Sequence, residues 1–491
     1  MTCDSVPADD RHGLRRPGCS TTWPPPSELV VVTLAELYGR APVPLQNVMA
    51  TGYGIREFSR RYTGTFRRVV AELDRNQWAD PEQLQADQLH RLREVLTWCG
   101  REVPHYRDLF RELGFSPLDV QAVGDLAALP LLEKETVRAD PERFLPEHRG
   151  RLVAQTTGGT TGTPLRYWAT LDAVQFNYAT YEARSRRWAG VRLGDRMASL
   201  HGQPIVPAED QHGPFWRHNY AFNQLYLSVY HLNPTTLPAY VDALERFAPR
   251  VVVGYMSAVH RIATHLLETG GQGRVLPAAV MVSSETLTPA ARHDIESAFG
   301  CRVFNGYSLG ELVAYVSECP LGGLHVSTEY GVLELVDGAV GREIVATGLI
   351  NKGMPLLRYR TGDLAEAATE PCRCGRTLPV LSQLQGRADD VVHTPEGAIV
   401  GPAPMSLAFQ RVPRLRRAQV HQDAPDSLRV LIEPGHGFTD DDQSFLDVEL
   451  RKRLGTTLRI EYERVDALPR TSGGKERLII SRVGRPPAEP G

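Results

Sequence analysis

The chain has 491 residues, 42% of them apolar, and its charges nearly cancel to a net −3. This length exceeds what one hydrophobic core serves and predicts two or three domains of roughly 100 to 200 residues. The charge balance excludes a strong field for nucleic acid or anionic lipid, and no apolar run approaches the ~18 residues that cross a bilayer.

In chain order, residues 1–27 end in Trp-Pro-Pro-Pro-Ser and read as a disordered leader, because adjacent prolines join neither helix nor ladder. The leader lacks the apolar centre of a secretion signal. Seven cysteines are an odd number and suggest thiols or metal ligands, not a disulfide framework. A soluble cytoplasmic protein with no membrane partner is expected. From Glu82 to Leu113, Leu84, Leu92, Val95, Leu96 and Leu109 recur at helical spacing and predict helices packed by one face. Between Leu152 and Glu334, short β-branched runs such as 251–253 and 279–282 alternate with helical patterns, the rhythm of an α/β fold whose ligands gather beyond strand ends. A compositional break at Gly386-Arg387-Ala388-Asp389-Asp390 precedes residues 389–491, which carry strand signals at 418–421 and 428–432 and a helix signal at 443–454.

Two loops stand out. Thr156, Thr157, Gly158, Gly159, Thr160, Thr161, Gly162 and Thr163 combine glycines that turn amides toward one anion with hydroxyls that donate to it. The Gly-Lys-Ser/Thr ending of a P-loop NTPase is missing, which disfavours that chemistry. Pro469 to Lys475 reads Pro-Arg-Thr-Ser-Gly-Gly-Lys, and only four of the 55 basic residues are lysines. A lysine kept in an arginine-dominated chain hints at a compact charge entering a tight site. Together the loops suggest a nucleotide substrate.

Read in order with Tyr307-Ser308-Leu309-Gly310-Glu311, Tyr359-Arg360-Thr361-Gly362-Asp363 and Gly386-Arg387-Ala388-Asp389, these loops make the chain resemble the adenylate-forming superfamily of acyl-CoA synthetases, luciferases and peptide-synthetase adenylation domains. The nearest branch is that of phenylacetate-CoA ligases and CapK-like proteins, and the resemblance runs from about Leu34 to Val483. It implies an α/β fold, with a large N-terminal domain of β-sheets and packed helices over 28–388. A small α+β C-terminal domain over 389–491 would turn on a hinge at Asp389.

By this resemblance the 156–163 loop holds the β- and γ-phosphates of ATP, and Tyr307 stacks on adenine with Ser284, Glu285, Asn305, Gly306 and Ser308 beside it. Asp363, helped by Arg387, accepts the ribose hydroxyls. Glu311 holds Mg²⁺, a hard cation suited to carboxylate oxygen. Lys475 neutralises the charge that grows between the acid's carboxylate and the α-phosphate. Gly310 departs from the family's Thr or Ser and cannot donate a hydroxyl. His201, His231 and Tyr255 are candidates for the acid pocket, as is the segment Ser283-Ser284-Glu285. The aromatic stretch from Phe215 to Tyr230 suits either core or pocket wall.

Independently of ATP, Cys319, His325, Cys372 and Cys374 form a Cys3His set suited to tetrahedral zinc, and four protein ligands make such a site structural. The expected function is ATP-dependent adenylation of a carboxylic acid, aryl by the branch it resembles, followed by transfer to a nucleophile. CoA leads as acceptor; an amine, a hydroxyl or a carrier-protein thiol would use the same first step, and a homodimer is left open. A zinc-stabilised scaffold without chemistry is the rival that Gly310 favours. The charge balance argues against a nucleic-acid-binding zinc protein.

Overall fold

The run Val251–Val253 is β-branched without a polar interruption, so both its faces need apolar cover, which a central strand receives. In the computed structural model, residues 34–156, 165–207, 210–388, 390–471 and 474–483 are described, with the side chains of 34–36 and 403 excepted. There Val251–Tyr255 lies inside a twelve-stranded sheet, with Val251, Val252 and Val253 all buried. From one edge the order is Gly331–Gly338, Gly341–Gly348, Tyr359–Ala367, Val380–Arg387, Leu324–Val326, Tyr315–Glu318, Val303–Ser308, Ala279–Ser283, Val251–Tyr255, Met197–Leu200, Gln224–Leu227 and Trp216–Asn219.

Five neighbours, from Gln224–Leu227 to Val303–Ser308, run parallel. Parallel strands need crossovers, which the helices Met256–Glu268 and Pro289–Phe299 supply. Pro289–Phe299 shows why it starts and stops where it does: the Thr288 hydroxyl accepts the Ala291 N–H, Pro289 occupies the first turn, and Gly300 closes the helix at φ 63°. Because the strands are parallel, their carboxyl ends share one edge of the sheet. His201, Tyr255, Ser284 and the segment from Ser308 to Glu311 all lie at or just beyond those ends.

Beyond Val303–Ser308 the pairing turns antiparallel. Leu324–Val326 inserts between Tyr315–Glu318 and Val380–Arg387, so segments some 50 residues apart become neighbours. The predicted helices appear as Pro81–Glu102 and Pro104–Leu113, separated at the extended Val103, where Pro104 begins the second helix.

A second, four-stranded sheet has the order Arg459–Arg464, Ser427–Pro434, Leu415–Ala424, Ile479–Ser481. With the helices Pro402–Gln410 and Asp440–Leu454 it encloses its own core, including Val420, Ile432, Leu446 and Leu450. Asp440–Leu454 opens with a Thr439/Asp442 capping box and three aspartates and closes with Arg451, Lys452 and Arg453, matching the helix dipole at both ends. The helix Leu34–Arg40 belongs to a separate unit ending at Ala41, and residues from Pro42 onward form one unit. No helix among the described residues is long and apolar enough to cross a membrane.

Candidate active site

Lys475 is held by a tight turn. The Thr471 N–H donates to the Lys475 carbonyl at 2.8 Å, the Gly474 N–H donates to the Thr471 carbonyl at 2.8 Å, and the Lys475 N–H donates to Thr471 Oγ1 at 3.2 Å. Gly474 adopts φ 78°, and a Cβ there would stand 2.8 Å from Val229 Cγ2, so both backbone conformation and close approach require glycine. The turn therefore rests on the segment after Gln224–Leu227, where Arg470 also donates to the Val229 carbonyl.

From this seat the Lys475 amine reaches the carboxyl ends of the parallel strands and sits 5.5 Å from the centre of the Tyr255 ring. Burial lowers its pKa below the ordinary lysine value, Arg387 adds to the lowering, and the carboxylates of Glu285, Asp363 and Glu311 oppose it. These interactions bring one amine, one guanidinium and three carboxylates close to one another. Ordinary sequence separation gives no hint of this; strand order does it.

Asp363 faces Arg387 in register across two antiparallel strands, with Arg387 Nε 3.6 Å from Asp363 Oδ1. Tyr307 donates its hydroxyl to Asp363 Oδ2 at 2.9 Å. Burial raises the Asp363 pKa, while Arg387 and the Tyr307 hydroxyl work against that rise. Glu311 is buried; its Oε1 accepts the Tyr359 hydroxyl at 3.0 Å and lies 3.5 Å from Lys134 Nζ. Motif reading missed Lys134, the cation beside Glu311, although the scarcity of lysine that singles out Lys475 applies to it equally. Glu285 accepts the N–H of Ser257 at 2.7 Å, its hydroxyl at 3.0 Å and the N–H of Glu476 at 2.8 Å. Burial pushes its pKa up to about 7 against those donors.

His201 meets the Tyr255 ring edge to face at 5.6 Å, and burial, with Lys475 nearby, pushes its pKa down to about 4. It is a neutral imidazole at pH 7. His231 has a different setting: its Nδ1 is 2.8 Å from Ser228 Oγ and its ring stacks on Phe215 at 4.8 Å. Phe215 and Phe222 are buried core residues, whereas Tyr220 is exposed. Ser308 is exposed at its strand end, and Asn305 and Gly306 lie within the same strand, where the Asn305 N–H donates to Glu318 at 2.8 Å. Thr156 ends the strand Leu152–Thr156, paired opposite Arg166. Thr157, Gly158, Gly159, Thr160, Thr161, Gly162 and Thr163, the hinge candidate Asp389, and the leader 1–27 lie outside the described residues.

The inserted strand Leu324–Val326 gathers the thiols. Ligand atoms of Cys319, His325, Cys372 and Cys374 all lie within 4.8 Å of one another. Cys319 and Cys372 sulfurs are 3.6 Å apart, and Cys374 Sγ is 3.2 Å from His325 Nε2. His325 Nδ1 is 3.1 Å from the Leu378 carbonyl, an acceptor only, so Nδ1 carries the proton and Nε2 turns its lone pair toward the sulfurs. A Cβ at Gly323 would sit 2.6 Å from Cys372 Sγ and 3.1 Å from His325 Nε2, filling the space between the donors.

Comparison with known proteins agrees with this architecture. Residues 392–482 match the CapK C-terminal domain family. Protein CapK of Staphylococcus aureus is 27% identical over 452 residues, covering 91% of this chain and 99% of its own. A phenylacetate-coenzyme A ligase of Thermus thermophilus is 26% identical over 437 residues, covering 81% of this chain and 96% of its own. The chain is similar over most of its length to proteins of the phenylacetate-CoA ligase and CapK-like branch of the adenylate-forming superfamily. The fold is shared with the crystal structure of 2-hydroxyisobutyryl-CoA ligase in its postadenylation state, with a TM-score of 0.65 at 20% identity over 83% of this chain and 92% of that one. The described motif residues Glu311, Asp363, Arg387 and Lys475 gather together with Tyr307 bonded to Asp363, and the Cys3His cluster is a separate group of side chains.

Proposed function

We propose that the protein is an AMP-forming ligase that activates a carboxylic acid with ATP and passes the acyl group to the thiol of CoA. The Lys475 amine, seated with Arg387 and three carboxylates at the carboxyl ends of the parallel strands, is the observation that carries this reading. An acid oxygen attacks the α-phosphorus, the bond to the bridging oxygen of pyrophosphate breaks, and an acyl-adenylate forms. The Lys475 ammonium offsets the negative charge that gathers between carboxylate and α-phosphate. Asp363 and Arg387 orient the ribose, Tyr307 supplies a flat face for adenine, and His201 and Tyr255 border the acid beside the lysine. The 157–163 loop is assigned to the outer phosphates, with Lys134 beside Glu311 as a further cation near them. Glu311 would hold Mg²⁺, which would neutralise charge on the phosphates. In the thioester step the CoA sulfur attacks the acyl carbon and AMP leaves.

Two half-reactions at one acyl group call for two geometries, so residues 389–491 are read as a lobe that turns about Asp389. Their separate core and the family match over 392–482 support that reading. The Cys3His donor set fits Zn²⁺, and four protein ligands give it a structural part. With no disulfide framework and no membrane-spanning helix among the described residues, a cytoplasmic location is the simplest assignment.

Incubating the enzyme with ATP and a panel of aryl and short aliphatic acids, with and without CoA, tests the function. Acyl-CoA and AMP are the expected products. Acyl-adenylate that accumulates unchanged by CoA would instead assign an amine or hydroxyl acceptor, and failure to bind any adenine nucleotide would return the chain to a scaffold.

The pH profile of kcat/KM for ATP should be a bell, because that ratio reports groups of the free enzyme. Ionised Glu285 accepts the Glu476 N–H more strongly and supports the charge on Lys475, so activity should fall as pH drops through about 7. Lys475 must be protonated, and its lowered pKa brings the alkaline limb below that of an ordinary lysine. Glu285→Gln should abolish the acid limb; a limb that persists in this variant assigns it elsewhere.

A further inference from the structure

Five charged side chains from four segments meet where the Lys475 loop rests on the large sheet's helices. Glu476 takes Arg261 Nη2 at 3.2 Å, Arg417 Nη1 at 3.1 Å and Arg470 Nε at 3.4 Å. Glu433 takes Arg417 Nη2 at 2.7 Å and Arg261 Nη2 at 3.5 Å. Arg261 and Glu433 are buried and Glu476 is partly buried, with side-chain exposures of 5%, 2% and 9%. Four of the five residues belong to 390–483; Arg261 alone comes from the helix Met256–Glu268, which packs on the large sheet.

That helix presents one face to the loop. Residues 257, 261 and 268 fall within about 40° of one another around its axis. Ser257 binds Glu285, which accepts the Glu476 N–H; Arg261 binds the Glu476 carboxylate; and Glu268 pairs with Arg416. Glu476 is thus gripped at both its amide and its carboxylate, and it adjoins Lys475. Neither contact exists unless 390–483 is docked on this helix. A buried guanidinium without its carboxylate is strongly unfavourable, so the cluster forms fully or opens to water.

We propose that Arg261 is a positioning residue that locks the C-terminal segment onto the Met256–Glu268 helix and so delivers Lys475 for adenylation, with no part in the acyl transfer that follows. This rests on the two-step reading given above. The Glu476 carboxylate is the latch and Glu285 its backbone counterpart, so Arg261 acts through Glu476 without touching substrate.

The test uses the full chain with Arg261→Met, which keeps the apolar stem and removes the guanidinium, and phenylacetate as the probe acid. Phenylacetate-dependent ATP–pyrophosphate exchange should fall roughly tenfold or more, while thioester formation from added phenylacetyl-adenylate and CoA stays within about twofold. Backbone amides of 468–478 should exchange deuterium faster than in the wild type, and Arg261→Lys should recover part of the activity. Unchanged pyrophosphate exchange and amide protection, or an equal loss in both half-reactions, would overturn the proposal. If Arg261→Met does not fold, Glu476→Gln takes its place with the same expected split. If the wild type exchanges pyrophosphate with no acid at all, the ligase reading fails, and the deuterium comparison still decides whether Arg261 is the lock.

Discussion

Lys475→Ala should lower acid-dependent ATP–pyrophosphate exchange by about two to three orders of magnitude, the usual cost of deleting one preorganised group that faces developing charge. The amine has no substitute in position: Arg387 is committed to Asp363 and to the Thr361 carbonyl, and Lys134 stands by Glu311. Folding should survive, because the turn from Thr471 to Lys475 is made by backbone groups and the Thr471 hydroxyl, not by the amine. Equilibrium binding of ATP should change little, since Tyr307, Asp363 and Arg387 remain. The thioester step, measured with preformed acyl-adenylate, should also be nearly intact if the lysine is withdrawn for it. Pyrophosphate exchange at the wild-type rate would remove Lys475 from the chemistry and with it the ligase mechanism.

The second large effect concerns the Cys3His cluster. Protein expressed with zinc should carry one equivalent by elemental analysis. Stripping it with a chelator, or replacing both Cys372 and Cys374 with serine, should lower the unfolding midpoint by on the order of 5–10 °C. The physical reason is the reach of the site. Cys319 follows the first strand of the hairpin formed by Tyr315–Glu318 and Leu324–Val326, His325 lies within its second strand, and Cys372 and Cys374 belong to the connection leading into Val380–Arg387. Without metal, three sulfurs and an imidazole are crowded within 4.8 Å with only weak mutual hydrogen bonds. Tyr315–Glu318 begins four residues after Glu311, so loosening should reach the cleft only as the sheet melts, and the rate per folded molecule should hold. Zinc-free protein with an unaltered midpoint would leave the cluster as thiols packed together.

Local chemistry was legible where a role needs a particular residue at a fixed offset from its neighbours. Glu311 lies four residues after Tyr307, Asp363 four after Tyr359, and Gly474, just before Lys475, is needed by the turn that carries it. The Cys-x-Cys pair at 372 and 374 announced itself in the same way. The alternation of β-branched runs with helical patterns predicted the α/β sheet, because buried parallel strands must be apolar on both faces.

Convergence of distant side chains was not legible in this way. Lys134 meets Glu311 at a sequence separation of 177, and Arg261 meets Glu476 at 215. The aromatic stretch from Phe215 to Tyr230 divides between core and surface according to how the antiparallel edge strand Trp216–Asn219 sits on Gln224–Leu227. His231 and His201 look alike in the chain, yet one stacks on Phe215 and the other stands beside Tyr255 near the lysine.

The residues alone determined which reagents this chain carries: a loop rich in glycine and threonine, a few scarce lysines, carboxylates in fixed motifs and a set of thiols. Tertiary structure decided which of them meet. Motif chemistry is set by a few covalent bonds, whereas meeting depends on strand order, crossover direction and burial, and these are properties of the whole folded chain.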